Sequence, residues 1–252
     1  MTQVMALKVV SYNIHKGMGV GRPSFTLPRI RDALAALQPD VVFLQEVSGR
    51  DEKRASRFEG WPPRSQSDFL AEAGWPHAAY GKNAVYSHGH HGNAILSKYP
   101  IVEHENIDVS SNAFEARGIL QAVLDLGRHV APLHCMCVHL SLLRRGRDSQ
   151  LKHLCRRVMK SVPDEEPLIV AGDFNDWQES ASKQLLSDIG VQEVFLGLHG
   201  AHAPTFPSPF PMLRLDRVYA RGCRALGGEI LHGTPWDALS DHSPLIAHLE
   251  VG

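Results

Sequence analysis

The sequence has few cysteines and no arrangement of them that would stabilise a fold. The four cysteines, Cys135, Cys137, Cys155 and Cys223, include no C-x-x-C pair. So low a count excludes a disulfide scaffold. Unpaired thiols are typical of proteins in reducing compartments, so we expect a cytoplasmic location.

The sequence also lacks a long apolar run and an excess of charge of either sign. No run of about 18 or more apolar residues occurs, which excludes a membrane-spanning helix. Lys8 interrupts the only apolar stretch of residues 1–10, which argues against a secretory signal. The formal net charge is −1, so the overall charge does not point to nucleic acid. Nothing indicates an obligate protein partner.

The sequence does contain enough apolar material for a large core. Of its 252 residues, 43% are hydrophobic, and we expect a single domain over residues 1–252. Apolar runs predict strands at 7–12, 41–44, 119–126, 132–139, 168–171, 215–219 and 245–251.

Helical spacing of apolar residues predicts two longer helices. One covers 27–37, with Thr26 as its N-cap, and the other covers 146–160. Residues 48–66, 88–92 and 202–211 are rich in polar residues, glycine or proline and are predicted to be irregular. Because strands alternate with helices only in part, the predicted fold class is α/β or α+β.

Six short polar motifs stand at the ends of apolar runs along the whole chain. They are Ser11-Tyr12-Asn13, Leu44-Gln45-Glu46, Val138-His139-Leu140, Gly172-Asp173-Phe174-Asn175, Leu215-Asp216-Arg217 and Ser240-Asp241-His242. Such side chains are unfavourable beside apolar strands unless they are paired or bind a cation, so we expect them to converge on one site. Oxygen ligands without clustered thiolates favour Mg²⁺, with Mn²⁺ as a substitute.

The acidic motifs each have a structural interpretation as well. Asp173 and Asn175 share a face if the strand continues that far, which would suit the positioning of a water and a phosphate. The same pair is also typical of a turn between a strand and a helix. Glu46 is equally consistent with a metal ligand and with a salt-bridge partner.

The histidines are open to the same two interpretations. A lone strand-end histidine such as His139 is more often structural. Asp241 and His242 either form a turn or supply a ligand and an imidazole to one site, and Asp216 could stabilise a histidine cation. For the histidines within 88–92, a solvated loop is favoured over a soft-metal site.

A basic segment follows the motif of His139. Residues 144–160 contain seven basic side chains and a single acid, Asp148. A basic helix near a phosphate-cleaving site would attract nucleic acid or anionic lipid headgroups. The alternative is an ordinary solvated face, which the near-zero net charge favours.

Taken together and in this order, the six motifs resemble the endonuclease/exonuclease/phosphatase superfamily, the group of DNase I, exonuclease III, neutral sphingomyelinases and inositol-polyphosphate 5-phosphatases. The resemblance extends from Val9 to Leu249. Asn-Ile-His-Lys-Gly at 13–17 and similar segments at 90–94 and 213–217 resemble a bacterial subgroup, some members of which are encoded beside a cardiolipin synthase. The resemblance implies a DNase I-like four-layer sandwich, in which two packed mixed β-sheets are flanked by helices and the site lies at one edge.

The resemblance also implies a metal site. Glu46 would be the principal Mg²⁺ ligand, with Asn13 and Asp241 close to the metal. His15 departs from the pattern, because abasic-site endonucleases carry an aspartate ligand at that place. The imidazole weakens the case for a metal edge with two carboxylates, and we count His15 with Asn13 among the substrate-binding residues.

The remaining motif residues match catalytic positions. By resemblance, Asp173 and Asn175 position the attacking water and the phosphate, and Asp216 is the partner of His242. His139 and His242 would flank the scissile phosphate.

Two further residues fall near the implied site. Arg117 stands where relatives often carry an arginine that contacts phosphate, and Asn93 is a further candidate for substrate binding. Both matches are looser than those of the six motifs.

The activity implied by the resemblance is Mg²⁺-dependent hydrolysis of a phosphodiester by in-line attack of an activated water, of nuclease type. The alternative is a phosphodiesterase for phospholipid headgroups or a phosphatase for small esters, which the neutral pI favours. An inactive binding module is the remote alternative. The expected partner is a phosphate-ester substrate, either nucleic acid or a phospholipid headgroup.

Overall fold

The part of the chain that the structure describes contains twelve strands, six α-helices and two single-turn 3-10 helices, His15–Gly17 and Trp236–Ala238. The computed structural model describes residues 4–21, 24–112 and 115–252, so residues 1–3 of the stretch examined for a secretory signal lie outside it. The strands are β1 (Met5–Asn13), β2 (Val41–Asp51), β3 (His77–Tyr86), β4 (Gly89–Ser97), β5 (Ile101–Asp108), β6 (Gly118–Leu124), β7 (Leu133–His139), β8 (Leu168–Asp173), β9 (Gln192–Glu193), β10 (Asp216–Arg221), β11 (Cys223–Ile230) and β12 (Leu245–Val251). The helices are α1 (Leu27–Leu37), α2 (Glu52–Ala55), α3 (Gln66–Ala71), α4 (Arg144–Ser161), α5 (Ala181–Ile189) and α6 (Val194–His199).

The strands form two sheets of six, with similar layouts. The first has the order β11-β12-β1-β2-β4-β3, and the second has the order β5-β6-β7-β8-β10-β9. Each sheet contains one parallel pair, β1 with β2 and β7 with β8, among antiparallel neighbours. The two mixed sheets and the helices outside them confirm the predicted four-layer arrangement.

Alternation of side chains along the central strands explains the packing. On β1, Val9 points between the sheets while Val10 points to the outer helices, and on β8 the same holds for Ile169 and Val170. Both faces of these strands are therefore buried. This is why they occur in the sequence as continuous apolar runs.

The outer layers are helical. Apolar faces of α1 and α3 cover the first sheet, and those of α4 and α5 cover the second. Thr26 occupies the N-cap position of α1 as predicted, but its hydroxyl does not cap the helix, because it donates to the carbonyl of Leu239 at 2.7 Å instead. None of the described helices is both long and apolar enough to cross a bilayer.

Two predictions of irregular structure are wrong in part. Residues 89–92 belong to β4, which pairs with β2 and β3, and β2 continues to Asp51 before α2 begins.

The glycines of residues 89–92 are required by close packing. A Cβ on Gly92 would lie 1.8 Å from the carbonyl oxygen of Gly81. Glycine therefore marks a close approach between strands here rather than a loop.

Candidate active site

Three neighbouring strands of the second sheet bring polar side chains to one edge. Cys137, Ala171 and Val218 point into the core between the sheets, and the residues two positions away on the same faces are His139, Asp173 and Asp216. The register places His139 opposite Asp173 and Asp173 opposite Asp216. Because side chains alternate along a strand, the face that is apolar in the core becomes polar at the end of these three strands.

Asp173 lies at the centre of this edge. One carboxylate oxygen accepts a hydrogen bond from Asn13 Nδ2 at 3.1 Å and lies 3.5 Å from His139 Nε2 and 3.7 Å from His242 Nε2. The other accepts from the backbone N–H of Asn175 at 3.0 Å. A carboxylate buried to this degree is stabilised by such donors, and it is fixed in position by them.

The backbone before Asp173 requires glycine. Gly172 has a φ of +146°, and a Cβ there would lie 1.9 Å from the carbonyl oxygen of Val138. The close approach of β8 to β7 at this point is what aligns Asp173 with His139.

His242 carries a positive charge at neutral pH. Its Nδ1 donates to Asp216 at 2.7 Å. Burial opposes the charged form, but the carboxylates of Asp216, Asp173 and Asp241 outweigh it and raise the pKa of His242 to about 10.

The charge state of His139 differs from that of His242. Burial and the nearby Arg117 guanidinium lower the pKa of His139 to about 4, against the opposing effect of Asp173 and Glu46. The imidazole is therefore neutral. Two histidines on one carboxylate with pKa values moved apart are typical of sites that perform acid–base chemistry. We call His139, Asp173, Asp216 and His242 the buried half of the site.

The first sheet contributes a more exposed group. Glu46 lies at a bulge of β2, where the pairing with β4 shifts, and has a φ of +56°. Its carboxylate forms an ion pair with Lys16. Although burial favours the neutral form, the charge and hydrogen bond of Lys16 hold the pKa of Glu46 well below its usual range.

A left-handed turn completes this group. His15 and Lys16 have φ values of +45° and +57°, and His15 Nδ1 lies 3.7 Å from the Asp241 carboxylate. We call His15, Lys16, Glu46 and Asp241 the open half. Asn13 joins the halves, because its Nδ2 donates to Asp173 while its Oδ1 accepts from the backbone N–H of His15 at 3.1 Å.

Comparison with known proteins identifies the family. The model of the endonuclease/exonuclease/phosphatase family matches residues 10–242. The chain belongs to this family. It is therefore a metal-dependent hydrolase of phosphoesters. Its sequence is 44% identical over 250 residues to YbhP of Escherichia coli strain K12, described as uncharacterized, covering 99% of this chain and 98% of that one.

Solved structures of other proteins share the fold. The endonuclease/exonuclease/phosphatase of Bacteroides vulgatus has a TM-score of 0.74 at 16% identity, covering 98% of this chain and 100% of that one. TDP2 of D. rerio, in complex with a single-strand DNA product, has a TM-score of 0.69 at 18% identity. The match covers 97% of this chain and 98% of that one.

Asn93, Arg117 and Asn175, all predicted at the family site, have side chains engaged with backbone. Asn93 Nδ2 donates to carbonyls of both Gly118 and Cys137, while its buried Oδ1 has no hydrogen-bond partner among the described residues. Asn175 Nδ2 donates to Leu140 O at 3.0 Å, and β8 ends before it. The strand geometry that would align it with Asp173 is therefore absent.

Arg117 is also held in place by protein groups. Its guanidinium donates to Leu140 O at 3.2 Å and to Glu115 at 2.9 Å. It lies close enough to His139 to lower the pKa of that imidazole. A phosphate contact by Arg117 remains a prediction.

Carboxylates lie in both halves, so two places could hold a metal of the kind this family uses. Ligand atoms of Asp173, Asp216 and His242 lie within 4.8 Å of one another. His242 Nδ1 already donates to Asp216 at 2.7 Å, however, so that nitrogen offers no lone pair to a metal in this arrangement. The carboxylates of Glu46 and Asp241 are partly exposed, and each lies beside a basic side chain. The open half therefore fits a hard cation better.

Lys16 had no role assigned from the sequence, and two of the seven basic side chains of α4 are not free to bind an anion. Lys16 was visible only as part of the segment 13–17. In α4, Arg147 is buried against the carbonyls of Ser141 and Leu142, and Arg157 pairs with Glu105. Burial of a charged side chain inside a basic segment gives no local signal in the sequence.

A cavity of about 650 Å³ opens beside the open half. Its lining includes His15 and Asp241 together with Lys53, Arg57 and Phe58. The Phe58 ring belongs to an aromatic cluster centred on Phe25. The centroid of the Phe25 ring lies 6.5 Å from that of Phe58 and 5.0 Å from that of Trp61. Such a combination of cations and rings can hold part of a substrate beyond its phosphate.

Proposed function

We propose that this protein hydrolyses phosphodiesters with Mg²⁺, by in-line attack of a water on phosphorus. The arrangement around Asp173 carries the proposal: one buried carboxylate faces a neutral and a charged histidine, and an asparagine fixes it from the other sheet. We take residues 1–252 as one catalytic domain.

Asp173 is the proposed base. Its carboxylate orients the attacking water and accepts a proton from it. Proton transfer by a positioned group typically contributes about 10²–10⁴-fold to a rate. Asn13 and the backbone of Asn175 keep the carboxylate aligned.

His242 is the proposed donor to the phosphoryl oxygens. In-line attack requires the water and the leaving oxygen on opposite sides of phosphorus, and His242 lies only 3.7 Å from the base. Its imidazolium is thus on the side of the attacking water. There it can stabilise the negative charge of the transition state while Asp216 holds its other nitrogen. His139 donates a second hydrogen bond, as a neutral imidazole.

The leaving oxygen then faces the open half. Lys16 supplies positive charge on that side, and Glu46, Asp241 and Asn13 are the residues that would hold Mg²⁺. A bound Mg²⁺ supplies Lewis-acid stabilisation of the negative charge that develops on the phosphate.

Nucleic acid is the first candidate substrate. TDP2 of D. rerio, which has the same fold, was solved with a single-strand DNA product. In this chain, the cavity beside Asp241 combines Lys53 and Arg57 with the Phe58 ring. Basic and aromatic side chains together suit the binding of a single strand. Arg117 and Asn93 remain proposed substrate-binding residues.

A phospholipid headgroup is the second candidate substrate. The observation that favours it is a set of exposed apolar side chains on loops around the buried half, including Trp177 and Phe210.

We also propose a cytoplasmic location, since Cys135, Cys137, Cys155 and Cys223 are free thiols.

A substrate panel tests the proposal. Wild type and Asp173→Asn would be incubated in Mg²⁺ or EDTA with bis(p-nitrophenyl) phosphate, single-stranded DNA, RNA and anionic phospholipids. We expect hydrolysis that requires Mg²⁺ and falls by about 10²–10⁴-fold in the variant. The preferred substrate distinguishes the two candidates.

The matched control is Asp164→Asn. Asp164 is exposed and precedes β8, at the end of the strand away from Asp173. Its variant should keep full activity. Wild-type turnover in Asp173→Asn, or hydrolysis that persists in EDTA, would overturn the proposed mechanism.

A further inference from the structure

Three loops meet at the end of the second sheet where the buried half lies. Strands β7 and β8 are parallel, so the loops after His139 and Asp173 leave from the same edge. Strand β10 is antiparallel to β8 and begins at Asp216, so the loop before it arrives at that edge too. Residues 140–143, 174–180 and 203–215 therefore surround the mouth of the buried half.

These loops expose large apolar side chains. The exposed fractions are 52% for Leu142, 66% for Leu143, 47% for Trp177, 79% for Phe210 and 73% for Met212. We call these five residues the apolar rim. Exposed apolar groups occur singly on most surfaces, but a set of them around one site indicates an interaction surface.

The loops that carry the apolar rim are held together by polar contacts. Arg147 is itself buried, donates to the carbonyls of Ser141 and Leu142 at 3.1 Å, and lies 5.6 Å from the ring centre of Trp177. Arg214 Nη1 donates to Glu179 at 2.9 Å and so links the second loop to the third. The side chains are thus presented on anchored backbone, which lowers the entropic cost of docking.

Cations begin beside the apolar rim and continue along α4 toward the opposite edge of the sheet. Arg144 and Arg145 directly follow Leu142 and Leu143, and α4 continues with exposed Lys152, Arg156 and Lys160. Arg144 lies 3.7 Å from Asp148. The other four have no anionic partner among the residues that the structure describes. Apolar side chains flanked by uncompensated cations match the boundary between acyl chains and anionic headgroups.

Nucleic acid explains the same surface less well. A nucleic-acid surface requires cations and benefits from aromatic rings, but it gains little from exposed Leu142, Leu143 and Met212. Tryptophan, leucine and phenylalanine beside arginine are typical of the bilayer interface.

We propose that the apolar rim docks on the surface of an anionic phospholipid bilayer. Leu142, Leu143 and Phe210 enter the acyl boundary, Arg144 and Arg145 at the start of α4 face the headgroup phosphates, and the cations farther along α4 add long-range attraction to the anionic surface. Docking itself needs no catalysis. That it presents headgroup phosphodiesters to the site, and so favours the second candidate substrate, rests on the proposed function.

Intrinsic fluorescence provides a direct test. The full chain in EDTA would be mixed with vesicles of phosphatidylcholine, alone or with phosphatidylglycerol, and followed by co-sedimentation and tryptophan emission. Trp177 is the most exposed of the tryptophans, since Trp75 and Trp236 are buried and Trp61 is half-buried. We expect binding to the anionic vesicles, a blue shift of emission that Trp177→Phe removes, and weaker binding at high salt.

Matched variants locate the surface. Leu143→Ser with Phe210→Ser should weaken vesicle binding by about tenfold or more. Leu226→Ser, which removes an exposed leucine from β11 in the other sheet, should leave it unchanged. Circular dichroism would show that each variant is folded.

The outcomes separate docking from catalysis. Vesicle binding by a protein that hydrolyses nothing would support docking and contradict the proposed function. Active protein that ignores anionic vesicles would overturn docking alone, as would equal binding by Leu143→Ser with Phe210→Ser. A shift of Trp177 emission by single-stranded DNA but not by vesicles would assign the rim to nucleic acid and overturn the proposal.

Discussion

The two halves of the site are built by different means. In the buried half, regular strands place His139, Asp173 and Asp216 side by side, and every charge faces an opposite charge or a donor. In the open half, a bulge and a left-handed turn place Glu46 and Lys16 at the surface. Under the proposed mechanism, proton transfer would depend on the rigid pairing of the buried half, whereas metal binding would depend on a surface where a metal ion can replace Lys16 as the partner of Glu46.

The largest expected effect concerns the pairing inside the buried half. Asp216→Asn should lower turnover of bis(p-nitrophenyl) phosphate by about 10²–10⁴-fold, because the amide no longer stabilises the His242 cation. The kinetic measurement would be made at saturating Mg²⁺. Near-normal turnover would show that the charge of His242 is unimportant to catalysis.

The next effect concerns stability and pH. The pKa of His242 is raised to about 10 in the folded protein, against about 6.5 for an unperturbed histidine. The charged form therefore stabilises the fold fully below pH 6.5, and the contribution is lost as pH rises toward 10. Urea unfolding in EDTA should show the free energy of unfolding falling across this window.

Asp216→Asn is also the control for that measurement. Without the carboxylate, the pKa of His242 should lie lower, and the fall in unfolding free energy should be smaller. Identical pH dependence in the two proteins would mean that another group produces it.

The smallest expected effect sharpens the description of the open half. Lys16→Met should bind Mg²⁺ roughly tenfold more tightly by calorimetry, because the ammonium no longer competes for Glu46 and a hydrogen bond between charged groups contributes about 1.5 kcal/mol or more. Glu46→Gln should lose most of the binding heat. If Lys16→Met weakened binding instead, Lys16 would support the cation rather than compete with it.

The parts of the fold with a clear periodicity could be predicted from sequence. Both faces of β1, β7 and β8 are buried, so their apolar runs were visible, and the edge positions that follow them contain the motifs. Strand β5 was missed, because it lies at the edge of its sheet and most of its side chains are polar and exposed. Its pairing with β6 depends on a neighbour that the local sequence does not specify.

For the site, the order of the motifs predicted which residues lie close together but not the contacts between them. The sequence offered no carboxylate partner for His139, and the structure places Asp173 at 3.5 Å from it. The pairing arises because parallel β7 and β8 align two residues that are far apart in the chain. The ion pair of Lys16 with Glu46 could not be predicted either, since it depends on left-handed backbone at both residues. The roles of the site residues stay predictions.

Because polar contacts connect the two sheets at the site, we expect catalysis to be sensitive to the distance between the sheets. Gln45 Nε2 donates to Cys137 Sγ at 3.3 Å, and Asn13 reaches Asp173 across the same gap. A heated protein whose sheets slide or separate slightly, with every strand still intact, would already have its two halves out of alignment. We therefore expect heat inactivation to be governed by the packing between the two sheets and to precede the melting of secondary structure.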